Sequence, residues 1–294
     1  MVRLIFWPKK WVVKMSNTLI IAKKEFSNLL RDPCILFILA VYSILALNSI
    51  AYDIDIYFYR GMISGNSDFV SVILEQEINI LTRYGSVIAL MIGFSSMSSE
   101  QMGNALKTLI TKPLYRDTII NGKLLGCLGF LTCVFGYITV FFLSMLLVFY
   151  GGMTVNVLPL VLEKLPFLIF ISLVYVTIFM LLSMLISTAV RSKGVALMLT
   201  ILSFFFIDSL LLNINFAWSI SILFGDNSEN VLRFFWAIAP PGILSSIINN
   251  CIYRTPADLI QTLSNISFDL SKLLIMAVVL VALNYSLLLR RDIQ

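Results

Sequence analysis

Side chains able to do acid–base or metal chemistry are scarce in this sequence. The 294 residues include no histidine, which removes the commonest metal ligand and the usual general base near neutral pH. The four cysteines lack the spacing of a metal site or a disulfide framework. No Gly-x-x-x-x-Gly-Lys-Ser/Thr phosphate loop occurs, and no pair of carboxylates can be assigned to a defined aqueous site. We therefore expect no enzyme activity, no metal site and no cofactor in this chain.

One acidic residue, Asp208, lies within a long apolar run. A carboxylate in hydrocarbon is costly, so such residues usually face the interior of a helix bundle or a water-filled cavity. Asp208 is therefore a candidate for a transport pathway or for an interface between subunits. The alternative is that it lies near enough to the outer membrane surface to be solvated, or that it pairs with Arg83 or Lys272.

A second group of candidate residues lies in the polar segment that follows residue 98. Leu106, Leu109 and Ile110 are spaced i, i+3, i+4, which predicts a short helix with one apolar stripe. Pro113 ends that helix, and Asp117 is a suitable N-cap for the next one. A short apolar stripe with basic flanks suits docking into a groove on another protein.

Membrane-spanning helices must position these residues. The chain is 59% hydrophobic and 13% charged, whereas soluble domains are about 45–50% apolar and about 25% charged. A bilayer core is crossed by about 20 apolar residues, and this window predicts an all-α membrane protein with six spans. The predicted spans are residues 34–52, 78–98, 124–150, 165–190, 194–213 and 273–289.

A further apolar stretch, residues 234–244, is too short to span a membrane and contains Pro240 and Pro241. Proline has no backbone N–H to donate to the hydrogen bonds of a helix, and it disfavours helical backbone angles in the residue before it. We therefore expect a re-entrant helical hairpin in the outer leaflet, before the last span. An ordinary outer loop with an aromatic anchor is the alternative.

The distribution of basic residues predicts the orientation. With the N-terminus inside, fifteen lysines and arginines lie in inner segments and six in outer segments. Basic residues are retained on the cytoplasmic side, so we expect a multi-pass protein of the plasma membrane with both termini cytoplasmic. The net charge of +5 then divides into +10 inside, −4 outside and the single charge of Asp208.

Residues 18–32 are predicted to form an amphipathic helix in the cytoplasmic interface, preceded by an interfacial segment over residues 1–17. The apolar face comprises Leu19, Ala22, Phe26, Leu29 and Leu30, and the opposite face carries Lys24, Ser27, Asn28 and Arg31, with Lys23 at the boundary. Asp32 and Pro33 then predict an N-cap and the first turn of the next helix. The amphipathic helix either only anchors the N-terminus or is a platform for a cytoplasmic partner. Met15 is an alternative start.

The pattern around the polar segment resembles that of the permease subunits of ABC-2 type transporters. The positions that carry the likeness are Glu100, Leu106, Lys107, Leu109, Pro113, Arg116, Ile119, Gly122, Lys123 and Gly126. The likeness extends over about residues 16–291 and includes Arg31, Asp32 and Pro33. The sequence departs from the family at Met102, where a second acid is common, and at Asn104 and Ala105, which replace Gly-Thr.

This resemblance implies a six-span ABC-2 permease domain over residues 33–291. The domain would dimerise with a second copy or a related permease and pair with two separate cytoplasmic ABC ATPase subunits, which would hold ATP and Mg. Residues 18–32 would be the elbow helix, with Lys23, Lys24, Glu25, Phe26 and Arg31 as its site residues. The ATPase-coupling loop would comprise Glu100, Gly103, Leu106, Lys107, Leu109, Ile110, Pro113 and Arg116. The implied function is export, or another movement, of a substrate across the lipid bilayer.

Two other functions stay open at this point. An ion-coupled secondary transporter would have internal repeats and several intramembrane charges, and the sequence has no clear repeat. A non-transporting subunit could instead use the ATPase to do mechanical work on an extracytoplasmic protein partner, with residues 53–78 and 214–271 as docking surfaces. We expect no nucleic-acid partner.

Overall fold

The computed structural model describes residues 9–54, 66–102, 116–190, 192–211, 213–224, 228–253 and 259–290, and every regular element in these ranges is a helix. In chain order the α-helices are α1 (Lys9–Arg31), α2 (Pro33–Asn48), α3 (Asn66–Asn79), α4 (Gly85–Met102), α5 (Arg116–Ala189), α6 (Lys193–Phe205), α7 (Ile214–Phe224), α8 (Ser228–Ile238), α9 (Pro240–Ile248) and α10 (Leu259–Arg290). Four π-helical turns extend them: Ser49–Ile54, Ile80–Tyr84, Phe206–Leu210 and Asn249–Tyr253.

The chain turns between α1 and α2 at Asp32, as the sequence predicts. Asp32 has extended backbone angles (φ −72°, ψ 114°), and its side chain accepts a hydrogen bond from the backbone N–H of Cys34. Pro33 occupies the first turn of α2, where its missing N–H costs nothing. The helix α1 begins at Lys9, so it includes part of the segment predicted to precede it.

The longest helix, α5, is two antiparallel limbs that meet at Gly151. Gly151 has φ +22° and ψ −98°, a conformation that L side chains rarely adopt. Phe135 on the first limb and Val176 on the second both lie against Gly85. In a straight helix they would be about 60 Å apart, so the chain must fold back at Gly151.

Five described helices are long and apolar enough to cross a membrane. Dividing α5 at Gly151 makes six, or seven if the bent α8–α9 pair is also a span. The helix formed by α3 and α4, Asp68–Ser98, begins earlier than the predicted apolar run. Residues 152–164, which the sequence suggested as a connection, are helical. The last candidate span, Ile266–Leu287, also begins before the predicted last span, residues 273–289.

The prolines at residues 240 and 241 separate two helices, as predicted. Ala239 is extended (φ −66°, ψ 136°), and α8 and the α9 segment meet at 83°. Gly242 lies against the backbone of Trp236, so a larger residue could not occupy this corner. The bend is that of a broken span or a re-entrant loop.

The buried core lies where α3, α4 and both limbs of α5 pack together. In the most apolar 18 residues of the helix Asp68–Ser98, 67% of the residues are buried, against 11% in the corresponding windows of α6 and α10. The central span is therefore enclosed by other helices, while α6 and α10 expose apolar side chains such as Met198, Leu202 and Val278. An apolar surface of this extent requires lipid or another protein to cover it.

Candidate functional site

The predicted ATPase-coupling loop lies mostly outside the described residues. This holds for Gly103, Leu106, Lys107, Leu109, Ile110 and Pro113. Glu100 belongs to the last turn of α4 and Arg116 to the first residue of α5, but their side chains also lie outside the described set. The structure does describe how the two helix ends that carry this loop are held.

Lys123 fastens the start of α5 to two other helices. Its side chain is buried, and its ammonium group donates a hydrogen bond to the backbone carbonyl of Ser96 on α4. The same Nζ atom lies 3.7 Å from Oε1 of Glu25 on α1. One buried cation thus joins α1, α4 and α5, just beyond the two ends of the loop over residues 103–115.

Two glycines bring α5 against the backbone of α1. A Cβ atom at Gly122 would lie 2.7 Å from Cβ of Ile21, and one at Gly126 would lie 2.7 Å from the carbonyl oxygen of Ala22. Both distances are shorter than real Cβ atoms show. The Gly-x-x-x-Gly spacing therefore serves close packing within one chain, with Lys123 between the two glycines reaching Glu25.

Two further hydrogen bonds close this junction. The hydroxyl of Ser95 on α4 donates to Oδ2 of Asp32 at 3.3 Å, so the cap of α2 is tied to the end of α4. The hydroxyl of Tyr285 on α10 contacts Oδ1 of Asn121 on α5. The first helix, the last helix and the ends of the two helices that carry the loop therefore meet at one end of the bundle. We call this set of contacts the basal junction.

The predicted apolar face of α1 is divided between two environments. Leu29 is buried, and Phe26 packs edge-on against Phe130 of α5 with ring centroids 5.8 Å apart. Leu19 and Leu30 are instead 63% and 46% exposed. Lys23, Lys24 and Arg31 are exposed. One side of α1 thus packs on α5, and a second apolar strip faces outward, as expected for a helix beside lipid.

Comparison with known proteins places the chain in a family. The family model described as ABC-2 family transporter protein matches residues 19–293, nearly the whole sequence. The chain belongs to the ABC-2 transporter family. No curated protein sequence matches it. The basal junction of this ABC-2 transporter chain, from Glu25 on α1 to Tyr285 on α10, lies within the matched range.

Asp208 of this ABC-2 chain lies in the π-helical turn that follows α6 and is half-buried. It interacts electrostatically with Arg83, although no salt bridge within 4.0 Å forms between these two described residues. Lys272, the other suggested partner, pairs with Asp269 at 2.8 Å. Arg83 lies midway along the helix Asp68–Ser98, which is long and apolar enough to span a membrane. Its side chain is exposed there.

The helices that form the candidate spans contain acidic residues besides Asp208, and Glu77 is the most enclosed of them. Glu77 lies in the helix Asp68–Ser98 with 1% of its surface exposed. Hydropathy places Glu77 in a predicted outer segment, because the predicted apolar run begins after it. Helical spacing carried a signal that was overlooked, since Ile73, Leu74 and Leu81 share a buried face with Glu77.

The proline corner is tied to the last span of the ABC-2 fold. Pro240 and Pro241 form the first turn of α9. The hydroxyl of Ser246 on α9 donates to Oδ2 of Asp269 on α10 at 2.7 Å, and Lys272 donates to Oδ1 of the same carboxylate. The bent α8–α9 segment is therefore hydrogen-bonded to the first half of α10.

Proposed function

We propose that this chain is the permease subunit of an ABC-2 type transporter and that it moves a substrate across the plasma membrane. Membership of the family supports this function most directly. The permease would pair with a second copy, or with a related permease, and with two cytoplasmic ATPase subunits that hydrolyse ATP. The loop over residues 103–115 would dock on an ATPase, with both termini on the same cytoplasmic side.

The basal junction supports a route for this coupling. A force applied to the loop would act on α4 and α5, which Lys123 and the glycine contacts join to α1. Close-packed helices transmit strain to one another, and the glycine contacts bring α1 and α5 together at backbone distance. Movement of the ATPase subunits would therefore reach α1 and the outer parts of α4 and α5 together.

The contact with the ATPase can be tested by placing a charged side chain in the predicted apolar stripe. Glutamate at Leu106 or Leu109 would bury an unpaired charge in the docking groove, so we expect at least a tenfold loss of affinity, about 1.4 kcal/mol or more. Replacing Glu100 or Arg116 is expected to weaken association as well. The measurement is co-purification of the tagged permease with its ATPase from membranes.

A matched control for Glu100→Gln is Glu229→Gln, because Glu229 is an exposed acid at the start of α8, in a segment predicted to be outer. The control should leave co-purification unchanged. If the variants of the loop retain the ATPase as fully as the control does, docking through residues 103–115 is wrong.

The pair Arg83 and Asp208 supports a second element of the proposal, a polar face between spans. Arg83 is exposed on the helix Asp68–Ser98, and Asp208 is half-buried in the turn after α6. Charged groups within membrane spans normally face protein or water and not lipid. We infer that this face lines the substrate pathway or the contact with the second permease.

Replacing Asp208 with asparagine is expected to lower the turnover of the assembled transporter severalfold while its yield in the membrane stays nearly constant. The physical reason is that asparagine fills the same volume but removes the charge that acts on Arg83. ATP hydrolysis by the reconstituted complex measures turnover, and quantitative blotting measures yield. Asp269→Asn is the comparison, since Asp269 is held by Lys272 and Ser246 and should affect yield first. A loss of yield alone in Asp208→Asn would assign it a structural role.

A further inference from the structure

Glu77 has an oxygen atom for which the described part of the chain provides no hydrogen-bond partner. The hydroxyl of Thr139 on α5 donates to Oε1 of Glu77 at 2.7 Å. Oε2 is buried and has no hydrogen-bond partner among the described residues. Glu77 lies on α3, one turn before the π-helical turn Ile80–Tyr84, where α2 and α5 provide hydrogen-bonding side chains.

No cation in the described part of the chain forms a salt bridge with Glu77. Tyr42 on α2 is the ionisable group that interacts with it electrostatically, and the Tyr42 hydroxyl donates to the carbonyl of Ile80. From α5 the facing polar group is Thr139. The neighbouring amide of Gln76 accepts a hydrogen bond from Ser49 of the turn after α2. The other side chains on this face of α3, including Ile73 and Leu74, are apolar and buried.

In this buried position the ionised and the neutral forms of the Glu77 side chain differ strongly in free energy. An ionised carboxylate without a cation, buried away from water, costs several kcal/mol even after the surroundings relax. A neutral acid leaves only one O–H group unmatched, which costs about 1–3 kcal/mol. The one hydrogen bond that Thr139 donates is too weak to offset the cost of burying the ionised carboxylate.

We propose that Glu77 is a proton-binding site inside the membrane bundle. The proton lies on Oε2, and Oε1 accepts the hydrogen bond from Thr139. The site holds its proton while α2, α3 and the first limb of α5 pack as observed. An arrangement of the spans that admitted water to Oε2 would let the proton pass to that water, leaving a hydrated carboxylate.

Proton binding and helix packing are therefore linked. A ligand that binds one arrangement more tightly than another shifts the equilibrium towards it, and here the ligand is a proton from the aqueous phase. Acid conditions would favour the packed arrangement, and alkaline conditions would favour one in which Glu77 is hydrated. This inference does not depend on an ATPase partner or on the substrate.

Infrared spectroscopy of the full-length chain in lipid nanodiscs tests the proposal near neutral pH. We expect a carbonyl stretching band of a protonated carboxylic acid that is absent in Glu77→Gln and unchanged in Glu229→Gln, in which an exposed acid is replaced. Because glutamine resembles the neutral acid in shape and polarity, its unfolding midpoint should stay within about 2 °C of the wild type.

Thr139→Val provides a second variant that keeps Glu77. Removing the donor to Oε1 should shift the band to higher frequency without abolishing it, since a carbonyl free of hydrogen bonds vibrates faster. The proposal is overturned if the wild type shows only carboxylate bands, as it would with a bound metal cation, or if the acid band persists in Glu77→Gln. Failure of the ATPase to co-purify would leave these spectra unaffected, so the two proposals can fail separately.

Discussion

Replacing Lys123 with methionine is expected to lower the free energy of unfolding by about 3 kcal/mol. Methionine keeps an unbranched apolar stem but leaves the Glu25 carboxylate, whose side chain is 12% exposed, without the ammonium group 3.7 Å away. Breaking a buried ion pair costs about 3–5 kcal/mol, because the remaining charge stays in a poorly solvating place. We expect the lower end of that range, since Glu25 keeps some contact with solvent.

Thermal unfolding of the purified protein, followed by tryptophan fluorescence, measures this effect. Lys24→Met is the matched control, because Lys24 is an exposed lysine on α1 and should shift the unfolding midpoint little. Adding Glu25→Gln to Lys123→Met should recover part of the loss, since the unpaired charge is then gone. Equal shifts for Lys123→Met and Lys24→Met would show that the pair does not hold the basal junction.

Alanine at Gly126 is expected to destabilise the packing of α1 on α5 by about 1–3 kcal/mol. The added methyl group would lie 2.7 Å from the carbonyl oxygen of Ala22 and 2.9 Å from Cβ of Glu25. The first of these atoms is backbone, so no side chain can rotate away and the two helices must separate. The gain in helix propensity from glycine to alanine, about 1 kcal/mol, offsets only part of that strain.

Gly136→Ala is the internal control on the same helix. A Cβ atom at Gly136 would have no heavy atom within 4 Å. The free energy of unfolding of this variant should therefore rise by up to about 1 kcal/mol, from the higher helix propensity of alanine alone. Limited trypsin digestion provides a second readout, because Lys23 and Lys24 on α1 should be cleaved faster when α1 is displaced. If Gly126→Ala and Gly136→Ala change stability in the same direction, the contact with α1 does not require glycine at residue 126.

Features that depend on a few neighbouring residues could be predicted from the sequence. Asp32 and Pro33 cap and begin α2 because both effects operate within a single helical turn. The corner at Ala239 follows in the same way from Pro240 and Pro241. The long apolar runs predicted an all-helical membrane protein, and the family likeness agrees with the match over residues 19–293.

The prediction failed where a polar residue is buried by distant helices. Hydropathy assigns Glu77 to an outer segment because it measures only the side chain itself. In the structure Glu77 is 1% exposed and accepts a hydrogen bond from Thr139 on α5. An apolar face on α1 does not by itself indicate whether protein or lipid will cover it: Leu29 is buried, whereas Leu19 and Leu30 are exposed.

By itself, then, the sequence determined the family, the helical class and the local breaks between helices, because these depend on composition and on contacts within a turn or two. Only the tertiary structure decided that Lys123 meets Glu25 and Ser96, that Gly122 and Gly126 serve α1, and that Glu77 has an unmatched oxygen. The physical reason is that these contacts depend on how helices far apart in the chain cross. A sequence pattern shows which face of a helix is apolar or small, but the energy of a buried charge or a close backbone contact is set by the neighbour that packing brings to it.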